Sequence, residues 1–280
     1  MDINWYPGHM TSARRKMQED IKLCDVVIEI LDARIPRSSK NPDLDNLIGQ
    51  KKRIFVFNKA DLADAETTKL WSKYYEEQGI RVVTMDSRVR KQTLSCTNVI
   101  REVCKEKLER DKRRGIANRP IKAMVAGIPN VGKSTFINSY VGKATAKTGN
   151  KPGVTRGNQW IRISKDINLL DTPGILWPKF EDKTIGVNLA LIGSVNDNIL
   201  NMNELTLILI DYLKYNYCNT IKNRYMIEES GDNHDILSEM AIARKCLSKG
   251  GEPDIERAAL LLLDDFRSGR LGRISLEKPQ

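Results

Sequence analysis

Residues 127–134 read Gly-Ile-Pro-Asn-Val-Gly-Lys-Ser, the G-x-x-x-x-G-K-S spacing of a phosphate-binding loop, with an apolar run before them and helix formers after them. Gly127 and Gly132 allow the backbone to aim its N–H groups inward at phosphates. Lys133 can reach the β and γ oxygens, and Ser134 can ligate Mg2+. Asn130, Val131, Gly132, Lys133, Ser134 and Thr135 are therefore the candidate phosphate contacts. Downstream, Leu-Leu-Asp-Thr-Pro-Gly sets Asp171 at the end of an apolar run. A carboxylate there can hold Mg2+ through a water, and the N–H of Gly174 can meet a γ-phosphate. Alone, Asp-Thr-Pro-Gly also fits a plain surface turn; its position after the phosphate loop argues against that. Between them, in Lys-Pro-Gly-Val-Thr-Arg-Gly, Thr155 is the candidate switch threonine closing on Mg2+. Lys143, Lys147, Lys151, Arg156, Arg162 and Lys165 span this stretch without an acidic residue. That pattern suits either a solvated basic face or a switch that orders against phosphates and RNA.

Upstream of all this stands Asn58-Lys59-Ala60-Asp61, closing the apolar run Arg-Ile-Phe-Val-Phe. Asp61 can accept hydrogen bonds from guanine N1–H and the exocyclic amine, while Asn58 pairs with the other edge of the base. Adenine lacks those two donors and would leave the carboxylate unpaired; a hydrogen bond to a charged group contributes ~1.5–3 kcal/mol, enough for strong discrimination. Met-Asp-Ser-Arg, with Asp86 and Ser87, follows another apolar run, where a loop closing over the base would lie. This order is inverted, because an ordinary guanine-nucleotide domain begins with its phosphate loop.

The elements that must position these loops alternate. Residues 12–25 read as an amphipathic helix, with Met17 and Ile21 inward and Arg14, Arg15 and Lys16 outward. Strand-like runs end at Asp-Ala-Arg-Ile-Pro, at Asn58 and near Met85, with a short helix over Asn-Pro-Asp-Leu-Asp-Asn-Leu-Ile-Gly. A charged helix from about Val99 to Arg114 precedes the strand that enters the phosphate loop. A helix opening with Ser-Thr-Phe-Ile-Asn-Ser-Tyr and two further strands follow. Strands alternating with helices imply an α/β, mostly parallel, doubly wound sheet. After Pro178 the pattern becomes helical only. Two domains are expected: 1–178, carrying the nucleotide motifs and an N-terminal helical extension, and 179–280, all-helical. In a doubly wound sheet ligands bind at the carboxyl ends of the strands, and domain termini often lie close together. Cutting the chain elsewhere and joining the old termini would keep every loop in place. The γ-phosphate switch then becomes the last motif and runs straight into the helical domain.

Bulk properties narrow the class. The chain has 280 residues, 40% of them hydrophobic, a net charge of +10 and a pI of about 9.3, so a polyanionic partner fits. Five cysteines without a CxxC pair argue against a disulfide framework or zinc site and for a reducing compartment. The N-terminus lacks a signal-peptide pattern, and runs such as Leu-Thr-Leu-Ile-Leu-Ile fall short of the ~20 residues that span a bilayer. A soluble, intracellular protein is expected, and composition alone leaves RNA, DNA and a membrane surface open as the polyanion.

The order NKAD, MDSR, GIPNVGKS, PGVTRG, DTPG resembles the circularly permuted GTPases, with motif order G4-G5-G1-G2-G3. With Trp-Tyr-Pro-Gly-His-Met at the start, Asp-Ala-Arg-Ile-Pro after the first strand and Arg-Ala-Ala-Leu-Leu-Leu-Leu-Asp-Asp-Phe-Arg-Ser-Gly near the end, nearly the whole chain is similar to the ribosome biogenesis GTPase A (YlqF-type) family. The resemblance implies a GTP hydrolase acting in late assembly of the large (50S) ribosomal subunit and stimulated by ribosomal particles. It implies GTP/GDP, the subunit precursor and its rRNA as partners, with no membrane and no DNA, a cytoplasmic location, a helical domain that helps bind rRNA, and a monomer off the ribosome. Ras-like enzymes orient the attacking water with a glutamine after the DTPG-type motif, and here that residue is Ile175. The family suggests His9 instead, whose imidazole can orient water near neutral pH; a structural or RNA-contacting His9 is the alternative. Catalysis would then rest on His9 and Lys133. In similar potassium-activated enzymes an asparagine at the position of Asn130 ligates K+, which makes K+ a candidate beside Mg2+. A nucleotide-gated RNA-binding module in which hydrolysis is incidental is the competing reading. An ATP-dependent kinase is disfavoured by NKAD.

Overall fold

Residues 9–116, 119–142, 159–177, 180 and 182–279 are described by the structure, a computed structural model. Apolar, β-branched runs build its sheet. β1 (Val26–Asp32) is buried along its whole length, and β2 (Lys52–Asn58) from Ile54 onward. β3 (Arg81–Thr84), β4 (Ile121–Ala126), β5 (Gln159–Arg162) and β6 (Ile167–Asp171) complete six strands in the order β3-β2-β1-β4-β6-β5. Every pairing is parallel except that of β5 with β6. Near-continuous hydrophobic strands are what a parallel sheet covered on both faces requires. The chain starts in the centre with β1 and winds out through β2 and β3. It then returns beside β1 as β4 and winds the other way through β6 and β5. The direction of winding reverses between β1 and β4, and the carboxyl ends of strands at such a switch point are where ligands bind in open α/β sheets.

α1 (His9–Leu23) buries Met17 and Ile21. α2 (Pro42–Ile48) starts where Asn41 caps the N–H of Asp43, with proline at its first position. Between β2 and β3 lies α3 (Ala65–Glu77), an element that aliphatic periodicity does not mark. Its buried side chains are Thr67, Thr68, Trp71 and Tyr75, and the two rings pack with Phe55, Phe57 and Leu31 into a separate aromatic cluster. The single charged helix expected from about Val99 to Arg114 is two helices, α4 (Arg90–Val103) and α5 (Lys105–Arg113), meeting at Cys104. α6 (Lys133–Val141) follows the phosphate loop.

From Lys183 onward the named elements are helical: α7 (Lys183–Leu191), α8 (Met202–Asn216), α9 (Thr220–Tyr225), α10 (Asn233–Ala243) and α11 (Ile255–Ser268), with one short helical turn at Asp197–Ile199. The chain after α11 returns to the sheet. The N–H of Ile274 donates to Leu62 O (3.0 Å) and that of Leu276 to Arg34 O (2.9 Å). Trp71 Nε1 donates to Glu277 O (3.0 Å), and the Glu277 carboxylate accepts from the N–H of Ser38 (2.9 Å). One hydrophobic cluster therefore runs through both halves. The cysteines are free, and all but Cys218 are buried. Among the described residues no helix is long and apolar enough to cross a membrane.

Candidate nucleotide-binding site

The phosphate loop leaves β4 at a place where only glycine fits. A Cβ on Gly127 (φ +143) would stand 2.5 Å from Ile30 O of the neighbouring β1. Gly132 (φ +96) is equally constrained, because a Cβ there would lie 2.3 Å from Asn58 Nδ2. Asn130 takes φ 60, a conformation that asparagine tolerates better than most residues. Three carbonyls of the loop are held by side chains of the nucleotide motifs. Lys133 Nζ donates to Ile128 O (2.7 Å), Lys59 Nζ to Asn130 O (2.8 Å) and Asn58 Nδ2 to Val131 O (2.7 Å). Carbonyls anchored this way leave successive N–H groups for an anion. No side chain caps the start of α6, so its first N–H groups and its dipole serve the same purpose. The inverted order of the motifs is thus resolved in space, because Asn58 and Lys59 of the upstream loop build the downstream one.

Lys133 and Asp171 form the charged floor. Burial lowers the Lys133 ammonium to about 8, against the pull of the nearby Asp171 carboxylate. Burial pushes the Asp171 carboxyl up to about 6, with Lys133 opposing. Asp171 Oδ1 is buried without a hydrogen-bond partner, and Ser134 sits half-buried at the start of α6. A buried, unpartnered carboxylate oxygen and a serine hydroxyl are together the donor types suited to Mg2+, a hard cation that takes oxygen ligands and keeps several waters. Thr172 Oγ1 donates to Val125 O (2.7 Å) and ties this loop to β4. Gly174 lies so close to the phosphate loop that a Cβ would meet Lys133 Nζ at 2.8 Å and Pro129 Cα at 2.9 Å. Ile175 is buried, and its carbonyl accepts from Asn41 Nδ2 (3.1 Å).

At the base end, Asn58 Oδ1 accepts from the N–H of Ser87 (2.9 Å), and the N–H of Ala60 donates to Met85 O (3.1 Å). These bonds join the NKAD and MDSR loops. Asp61 Oδ2 pairs with exposed Arg88 (2.6 Å), which also holds Asp86 (2.9 Å). Asp61 Oδ1 and Ser87 Oγ are buried and unpartnered. Buried polar atoms are nearly always hydrogen-bonded in folded proteins. Of the five buried orphans among the described residues, Asp61 Oδ1, Ser87 Oγ and Asp171 Oδ1 fall in this one site, at its base and phosphate ends.

Beneath the NKAD loop lies a buried ion cluster that no sequence motif identifies. Asp32 accepts a fork from Arg34 (2.9 and 2.8 Å) and pairs with Lys59 (3.0 Å). Burial would raise the Asp32 carboxyl, but Arg34 and Lys59 together hold it well below the usual carboxylate range. Burial lowers the Lys59 ammonium, with Asp32 opposing. Asp32 thereby fixes the side chain that anchors Asn130 O.

The remaining candidates are placed differently. His9 opens α1, but its side chain, like the whole of Thr155, lies outside the described residues. Asn130 Nδ2 donates to Gly193 O (2.6 Å) in the helical half. Val131 is fully buried, and Thr135 is half-buried in the first turn of α6. Of the C-terminal basic residues, Arg267 holds Leu191 O, Ala190 O and Asp197, Arg270 pairs with Asp264 and Asp265, and Arg244 donates to Arg224 O. Those three stabilise the fold, while Lys245, Lys249, Arg257 and Arg273 stay exposed.

With this geometry in place, similarity to known proteins is informative. The model of the 50S ribosome-binding GTPase family matches residues 122–239, from β4 through the phosphate and DTPG loops, with NKAD lying upstream of the match. Ribosome biogenesis GTPase A of Priestia megaterium is 43% identical over 281 aligned positions, covering 100% of this chain and 98% of the relative. The chain belongs to the ribosome biogenesis GTPase A family. GDP-bound YlqF shares the fold, with a TM-score of 0.67 and 28% identity over 95% of this chain and 99% of that one. GNP-bound YlqF from T. maritima gives 0.66 and 29% over 96% and 99%. The fold is that of a ribosome biogenesis GTPase A with a circularly permuted domain. Membership makes the protein a GTP hydrolase of ribosome biogenesis, with Mg2+ as the ion GTPases generally use.

Proposed function

We infer that the protein binds GTP across the carboxyl ends of β2, β3, β4 and β6 and uses its hydrolysis as a checkpoint in late assembly of the large ribosomal subunit. The observation that carries the site is the interlock of the NKAD and phosphate loops, in which Asn58 and Lys59 hold Val131 O and Asn130 O. In this reading Asp61 and Asn58 select guanine, with Ala60, Asp86 and Ser87 around the base. Lys59 and residues 130–135 cradle the phosphates, and the N–H of Gly174 senses the γ-phosphate. Mg2+, held by Ser134, by Thr155 and through water by Asp171, supplies charge neutralisation at the phosphate oxygens. Lys133, buried and directed to the loop, stabilises charge that develops on the transferring group. Because Ile175 is buried in the core, the water is oriented by another group, and His9 takes that role. Asn130 is the candidate ligand for K+, as in the similar potassium-activated enzymes.

Residues 1–178 form the GTPase domain, and 179–280 the helical domain that meets rRNA, in a protein that is cytoplasmic and monomeric off the ribosome. The net charge of +10 and the names of the relatives support ribosomal RNA as the polyanion. Multiple-turnover hydrolysis with and without purified large-subunit precursors tests the reading, in K+ and in Na+. Stimulation by particles that is lost in His9→Ala, with GDP affinity unchanged, is the expected result. Particle-independent turnover would favour a nucleotide-gated RNA-binding module instead.

A further inference from the structure

The turn after α7 is built with unusual economy of parts. Gly193 adopts φ +76, its N–H donates to Ala190 O (3.0 Å), and the N–H of Ser194 donates to Leu189 O (2.9 Å). This is the double closure that ends a helix around a left-handed glycine. Arg267 of α11 then takes Leu191 O (2.9 Å) and Ala190 O (2.8 Å) and forks onto Asp197 (2.7 and 2.9 Å). A cation on the last carbonyls of a helix complements its dipole. The turn is therefore held from both sides before it touches anything else.

What it touches is the phosphate loop. Ser194 Oγ, fully buried, donates to Pro129 O (2.8 Å), and Gly193 O accepts from Asn130 Nδ2 (2.6 Å). With these bonds four consecutive loop carbonyls, those of Ile128, Pro129, Asn130 and Val131, are each held by a different side chain: Lys133, Ser194, Lys59 and Asn58. Three of those side chains belong to nucleotide motifs. The fourth comes from the helical half, from a segment that carries no nucleotide motif.

We propose that the Gly193–Ser194 turn positions the phosphate loop, so that the helical half sets nucleotide affinity directly and senses nucleotide occupancy through Pro129 and Asn130. Occupancy and the order of the turn are then linked, and the linkage is reciprocal. This route bypasses the covalent connection through the DTPG loop. It rests on the reading of residues 127–134 as the phosphate loop.

Ser194→Ala leaves Pro129 O without its donor. Losing one buried hydrogen bond predicts about a tenfold rise in KM for GTP and in Kd for GDP, with kcat within about twofold, because the loop holds phosphates common to both nucleotides. Ser194→Thr, which keeps the hydroxyl, should restore both constants. In the wild type, GDP should slow hydrogen exchange of the amides of residues 192–194, and Ser194→Ala should abolish that response. Urea titration of each variant separates these effects from global stability. If Ser194→Ala does not fold, GDP-dependent protection at 192–194 in the wild type decides alone. Wild-type constants in Ser194→Ala, or no protection by GDP, overturn the proposal. Lys133→Ala tests the underlying site separately: should it bind GDP as the wild type does, the phosphate-loop reading fails and not merely the bracing by Ser194.

Discussion

Gly174→Ala should damage recognition of GTP while sparing that of GDP. The residue needs its lack of a side chain for space. A Cβ would stand 2.8 Å from Lys133 Nζ and 2.9 Å from both Cα and N of Pro129. A lysine tip can usually yield, but this one is bonded to Ile128 O at 2.7 Å, and Pro129 is backbone whose carbonyl is bonded by Ser194 at 2.8 Å. The DTPG loop itself must therefore retreat. Forcing one extra methyl into a packed site costs ~1–3 kcal/mol. GDP has no γ-phosphate for the Gly174 N–H to meet, so the penalty falls on GTP alone. The preference for a non-hydrolysable GTP analogue over GDP should drop by roughly 5- to 150-fold, with GDP affinity within about twofold of wild type. Titration of fluorescent analogues of both nucleotides provides the assay. Equal losses for the two, or none, would refute the assignment of Gly174 to the γ-phosphate.

Two further outcomes follow from buried charge. Asp32→Asn leaves Arg34 and Lys59 facing each other inside the fold, and breaking a buried ion cluster costs ~3–5 kcal/mol of unfolding free energy; a change under about 1 kcal/mol in urea titration would show that the cluster is solvated. Glu277 tests the return of the chain end to the sheet, since burial pushes its carboxyl from 4.5 up to about 7 despite hydrogen bonds from Ser38. The folded state favours the protonated form, so this contribution is fully present below pH 4.5 and is lost as pH rises through about 7. Relative to Glu277→Gln, the wild type should lose stability between those limits, by ~1–3 kcal/mol after allowance for its partial exposure. A difference in urea midpoint that stays flat with pH would contradict the buried carboxyl.

The motifs were legible because their chemistry is local. In residues 127–134 and in Asn58-Lys59-Ala60-Asp61, the residues that shape each loop are consecutive, so their spacing along the chain already describes the loop. The strands were legible for a similar reason, since β1, β2 and β4 are nearly unbroken apolar runs. What escaped depends on segments distant in sequence. Nothing in Asp-Ala-Arg-Ile-Pro signals that Arg34 is fully buried against Asp32 and the ring of Phe266. Ser194 belongs to no motif, and only its distance to Pro129 O reveals its use. α3 hides its buried face behind threonines and aromatics. Arg267 and Arg270 are two basic residues of a helical region, and only the fold shows their guanidinium groups engaged by helix ends and carboxylates there. A Gly-Ser pair after an apolar helix was the available signal for the turn, and it carries no indication of its partner.

In the proposed site, permutation leaves guanine recognition intact, with Asp61 brought to the base by a loop that precedes its own phosphate cradle. Asp61→Asn is the decisive substitution. An asparagine offers a donor where guanine presents donors, whereas xanthine presents a carbonyl at the same position. Measured by competition against a fluorescent nucleotide, the variant should lose GTP affinity and gain affinity for xanthosine triphosphate, with preference between the two inverted. A variant that keeps the wild-type preference for GTP would contradict the account.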